Sequence, residues 1–239
     1  LTDVTGVQTC ALPIWRDAGL CWYKYYEWPE SYSRYIQYVF SRYQANNTVL
    51  SPVHLDIIDE TVSPDDYINS IKYMKKKYGL PPFGTLLSAN ANPSTLENWG
   101  EESWVTLHQI GNMREHNNYW YLTEIFNLRN PKPALNGEPY YAGYKDARGP
   151  GSVNYSRGAD GGTGKDNAFV RSCMYGSFLS GGLAGHVYGA EGIWGADIEP
   201  SAPVHMWDAF LWRSGAEMQY LRTFAFSIGK IGRASCRER

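Results

Sequence analysis

The sequence predicts an α/β fold of parallel strands, closed as a barrel rather than left as an open sheet. Three observations carry this expectation. Segments of strand and helix character alternate along the chain, the order that right-handed parallel crossovers require. Polar residues gather at the C-terminal end of one strand segment after another, where barrels build their sites. No repeat of 20 to 50 residues is visible, which excludes a solenoid or propeller.

Residues 19–23 (GLCWY) read as the end of a strand. Pro29-Glu30-Ser31 then starts a helix in which Tyr35, Val39 and Tyr43 recur at helical spacing. Asn46-Asn47 breaks it, and residues 48–56 (TVLSPVHLD) form a buried strand that turns polar at its end. Ser63-Pro64-Asp65-Asp66 combines a capping serine, a first-turn proline and two first-turn acids, and opens a helix that stops at Gly79. Strand 82–88 follows, with the loop Ala89-Asn90-Ala91-Asn92-Pro93 behind it. A short helix at 94–99, a strand at 104–110 and a helix at 115–128 lead into Pro131. Beyond a glycine-rich stretch come a helix at 165–179, a strand at 185–189 and one long final helix at 204–226.

The chemistry centres on residues 131–141, PKPALNGEPYY. Ala134 and Leu135 give strand character, and Asn136-Gly137-Glu138-Pro139 ends it with turn residues. Glu138 is thereby expected at a strand's C-terminal end, aimed into a cleft. A second acid for proton transfer is expected at the end of another strand, and Asp56 meets that description, with Asp59 and Glu60 as close competitors.

Composition narrows the partners. The 19 Tyr and 9 Trp supply rings with an apolar face and a polar handle, suited to large cores and to platforms for sugar rings. A net charge of −2, without a basic cluster interleaved with aromatics, argues against nucleic acid. Residues 1–14 and 231–239 resemble translated sequencing adapter and are set apart as non-native tails, leaving 15–230 as a domain cut from a longer protein. Cys10 and Cys236 lie in those tails, and Cys21 and Cys173 alone make neither a disulfide framework nor a zinc site. HExxH, CxxC and GxSxG are absent, so neither a metal nor a cofactor is expected, and no apolar run is long enough to span a membrane. Gly158 to Gly164 (GADGGTG) lacks the lysine of a phosphate loop and reads as a lid over the cleft.

Three stretches, RYQANNTVLSPVHLD, PKPALNGEPYYAGY and VRSCMYGSFLSGGLAGHVYGAEGIW, together resemble the apiosidase-like glycoside hydrolases, whose catalytic domain was long described as DUF4038. The resemblance implies a (β/α)8 TIM barrel, of which this chain carries roughly strands four to eight with flanking helices. It implies Glu138 as the strand-seven nucleophile and Asp56 as the strand-four acid/base, in an enzyme acting on complex, plant-type polysaccharide. Relatives often place Gly-Gly-Asp where this chain has His54-Leu55-Asp56, which keeps a non-catalytic carbohydrate-binding barrel as the alternative. A secreted or periplasmic location is also implied. His54, His108, Asn136, Tyr140, His186, Tyr188 and Trp194 are the substrate-binding candidates. His186 and Tyr188 read equally as donors to Glu138 or as structural groups, Trp194 as a sugar platform or a core ring, and Arg171 as a partner of an inner carboxylate or a surface pair.

Overall fold

The computed structural model describes residues 23–46, 48–54, 62–91, 93–111, 119–144, 161–193 and 196–235. Helix α1 (Glu30–Tyr43) begins at the predicted point and buries Tyr32, Ile36 and Phe40. Strand β1 (Val49–Leu50) follows, and helix α2 (Pro64–Tyr78) is capped by the Ser63 hydroxyl, which accepts from the Asp66 N–H, as its sequence signature demands. Serines 33 and 70 let α1 and α2 approach closely: the Ser33 hydroxyl donates to the Ser70 carbonyl at 2.8 Å, with both residues fully buried.

The chain continues through β2 (Leu86–Leu87), α3 (Thr95–Trp99), β3 (His108–Ile110), α4 (Trp120–Phe126), β4 (Ala134–Asn136), α5 (Gly164–Leu179) and β5 (Gly185–His186). All strand pairs are parallel and follow chain order. Val49 lies beside Leu86, Gln109 beside Leu135, and Asn136 beside His186. The two sheets are joined where the Thr106 and Leu107 N–H groups donate to the Leu87 carbonyl at 2.9 and 3.1 Å. Strand, helix and next strand in register is the winding of a TIM-type barrel.

Side-chain alternation separates the two faces of this arc. Val49, Leu107 and Leu135, with Ala184 and Val187, form a cluster drawn from strands and their flanks and from no helix, so it marks the inner face. Leu50, Leu87 and Ala89 pack outward with α1 and α2, while Ile110 and Ala134 pack outward on α4.

The end of the chain departs from the single predicted helix at 204–226. Three helices occupy it, α6 (Met206–Ala209), α7 (Arg213–Glu217) and α8 (Gln219–Ser235). The break falls at Trp212, whose backbone is extended. Its ring fills a hollow where a Cβ at Gly143, Gly161 or Gly162 would lie 2.7, 2.0 or 2.9 Å from it. A continuous helix would withdraw the ring from that seat, so tertiary packing overrides helical periodicity here. Gly161 and Gly162, expected in a lid, instead seat Trp212 and lead into α5; residues 145–160 lie outside the described residues.

Candidate active site

Glu138 sits two residues past the end of β4 and is 8% exposed. Each carboxylate oxygen has a donor. The Tyr141 hydroxyl donates to Oε1 at 3.1 Å, and Asn90 Nδ2 donates to Oε2 at 3.4 Å. Asn90 is placed by a parallel bridge with His54 at the exit of β2, between Ala89 and Ala91 of the outer core. The site is thus assembled from the C-terminal ends of two strands, where rigid elements hold functional groups in barrels. Two donors, one on each oxygen, hold the sheltered carboxylate in one orientation.

Glycines make room beneath this carboxylate. A Cβ at Gly137 would lie 2.8 Å from Gln109 Oε1, and one at Gly111 would lie 2.4 Å from Asn90 Oδ1. Gln109 of β3 and Asn90 therefore press against bare backbone at Gly137 and Gly111.

The remaining candidates are distributed more widely. Tyr140 turns away from Glu138 and its hydroxyl donates to Asp166 Oδ1 at 2.7 Å; burial first, then this carboxylate, pushes the phenol up. Asp166 also accepts from the Gly143 N–H at 2.8 Å and the Gly162 N–H at 3.1 Å. Tyr188 shares a 3.1 Å hydrogen bond with Ser214 instead of one with Glu138, and burial raises its phenol. Asn136 points outward and donates to Ser177 Oγ of α5 at 2.9 Å.

His108 opens β3 rather than standing at its exit, and its Nδ1 shares a 2.6 Å hydrogen bond with Thr95. Burial, helped by Lys132, lowers it to about 4. His186 pairs in register with Asn136, and parallel partners share a face, so it too lies on the outer side of the sheet. Its Nδ1 is sealed from solvent with no hydrogen-bond partner among the described residues, and burial lowers the ring to about 3. Both rings are therefore neutral near pH 7. The His54 carbonyl accepts from Tyr67 at 3.3 Å. Arg171, itself partly exposed, pairs at 2.6 Å with the buried carboxylate of Glu217 on α7, so it meets a carboxylate between helices and not one at the strand exits. Asp56, Asp59, Glu60 and Trp194 lie outside the described residues.

The structure thus joins Glu138 to two groups that sequence reasoning passed over. Asn90 stood in a polar tail behind a strand, the same signal that singled out Asp56. Tyr141 stood beside Tyr140, and one place along the chain decided which of the two met the carboxylate. Among the described residues, no three His, Cys, Asp or Glu side chains gather as a metal site, and no helix is long and apolar enough to cross a membrane.

Comparison with known proteins places this arrangement. The chain is similar in fold to a glycoside hydrolase family 5 structure from Bacteroides vulgatus ATCC 8482, with a TM-score of 0.62 at 16% identity, covering 81% of this chain and 44% of that one. It is similar as well to a structure described as a glycoside hydrolase, with a TM-score of 0.61 at 18% identity, covering 82% of this chain and 46% of the other. The chain therefore spans less than half the length of these neighbours. No curated protein matches it. The family model described as apiosidase-like, catalytic domain, matches residues 3–228. That match takes in all five described strands together with Glu138, Asn90 and Tyr141, and the chain belongs to the apiosidase-like catalytic domain family.

Proposed function

We propose that this chain is the catalytic part of a glycoside hydrolase that cleaves a glycosidic bond in a complex, plant-type polysaccharide, with Glu138 as nucleophile and Asp56 as acid/base. The observation that carries the reading is Glu138 itself, a sheltered carboxylate at a strand exit with a donor on each oxygen. A nucleophile must be ionised and held in line, and those two donors serve that need. Family membership supplies the reaction class. The domain comprises residues 15–230, with the two tails contributing nothing to chemistry.

The test uses the full-length enzyme. Glu138→Gln keeps the shape and loses the charge, so hydrolysis falls below detection while sugar binding, followed calorimetrically, persists. Asp56→Asn lowers turnover of natural glycosides by about 10²- to 10⁴-fold and acts far less on aryl glycosides, whose leaving groups need no proton. Full hydrolysis by Glu138→Gln would sink the assignment. Wild-type binding without any hydrolysis would favour a carbohydrate-binding barrel, the reading suggested by His54-Leu55-Asp56 in place of Gly-Gly-Asp. The carboxyl separation then gives the stereochemistry: about 5–5.5 Å for retention, about 6.5–9.5 Å for inversion.

A further inference from the structure

The ring of Tyr141 stands hard against a glycine of the neighbouring strand exit. A Cβ at Gly189 would stand 2.4 Å from Tyr141 Cδ1, 2.6 Å from Cε1 and 3.1 Å from Cγ, inside any tolerated carbon contact. Gly189 is not among the described glycines with positive φ, so its backbone does not itself demand glycine. The three atoms nearest to that missing side chain all belong to the Tyr141 ring.

The backbone around this contact is pinned on both sides. The Ala142 N–H donates to the Gly189 carbonyl at 2.9 Å, the Glu191 N–H donates to the Ala142 carbonyl at 2.9 Å, and Ala142 bridges Ala190 in parallel. Neither strand exit can back away without breaking this ladder. A methyl group at 189 must therefore displace the ring, by roughly 1 Å if an ordinary carbon contact is to be restored. The hydroxyl travels with the ring, and its hydrogen bond to Glu138 already stands at 3.1 Å.

We infer that Gly189 is a positioning residue for Glu138, acting through Tyr141: its bare Cα is the seat that sets the height of the phenol against the carboxylate. This rests on the reading of Glu138 as the nucleophile. It assigns no contact between Gly189 and substrate.

The experiment compares Gly189→Ala, Tyr141→Phe, Tyr141→Ala and the double variant Gly189→Ala/Tyr141→Ala in the full-length enzyme, with turnover of a 4-nitrophenyl glycoside and crystal structures of each. Gly189→Ala is expected to lower kcat by about 10²-fold, the scale of a 1 Å misplacement, with KM little changed and Tyr141 Oη beyond 3.5 Å from Oε1. Tyr141→Phe, which keeps the ring, should fall similarly. In the Tyr141→Ala background the added methyl should cost nothing further, because the ring it would strike is gone. The inference is overturned by a Gly189→Ala enzyme that keeps its kcat or its 3.1 Å contact, or by an undiminished second loss in the double variant. Should Gly189→Ala not fold, full kcat in Tyr141→Phe overturns it equally. Glu138→Gln separates the failures: if that variant is dead while Gly189→Ala and Tyr141→Phe are active, only this inference falls; if it is active, the nucleophile assignment falls with it.

Discussion

A ring that is 2% exposed and tied through Nδ1 to Thr95 resists a second proton, and His108 is such a ring. Burial first, and the Lys132 charge second, bring it down to about 4, against about 6.5 in an unfolded chain. The fold therefore binds fewer protons than the unfolded chain between these values. The stability His108 contributes is whole above about pH 6.5 and is lost as pH falls toward 4. His186, lowered to about 3 by burial, acts in the same direction. In thermal melts at pH 7 and pH 4.5, His108→Gln should narrow the gap between the two midpoints, whatever it does to the midpoint at pH 7. An unchanged gap would remove His108 from the acid response. Single residues also mark how far sequence can be read. Glu138 stood out because turn residues placed it just beyond a strand's end. The choice between Tyr140 and Tyr141 did not, since strand alternation lapses at Gly137 and no parity rule tells which of two successive rings turns to the carboxylate.

At the level of elements, the junction of Gly143, the start of α5 and Trp212 is held by one buried carboxylate. Asp166 is fully buried and accepts from the Tyr140 hydroxyl and the Gly143 and Gly162 N–H groups. Removing an acceptor strands its donors, at about 1–3 kcal/mol for each buried group left unpaired. Asp166→Ala is thus expected to destabilise the domain by roughly 3 kcal/mol or more, read from urea unfolding; a change below about 1 kcal/mol would show that water takes the place of the carboxylate. Helices α1, α2 and α5 were legible because capping and spacing are local signals. The division of the last segment into α6, α7 and α8 was not, because the hollow that draws in Trp212 is made by glycines some fifty to seventy positions earlier in the chain. Strand order was legible as alternation, whereas β1, β2, β3 and β5 proved shorter than the segments expected at 48–56, 82–88, 104–110 and 185–189.

For the molecule as a whole, Glu138 stands where two packed regions meet. Asn90, which holds Oε2, lies between residues of the cluster built on α1 and α2. Tyr141, which holds Oε1, lies between Tyr140 and Ala142 of the cluster built on α5 and α6. Relative movement of these regions by a fraction of an ångström disturbs the carboxylate before either core opens, since local order fails ahead of global unfolding. On the proposed function, reversible loss of activity on heating should set in a few degrees below the unfolding transition seen by circular dichroism. Coincidence of the two curves would mean the regions move as one. This two-sided grip also bears on grafting. A chimera that takes the segment around Asn90 from this chain and the segment around Tyr141 from another barrel can keep each core intact and still lose the carboxylate's hold, because an asparagine and a tyrosine have to meet at one glutamate.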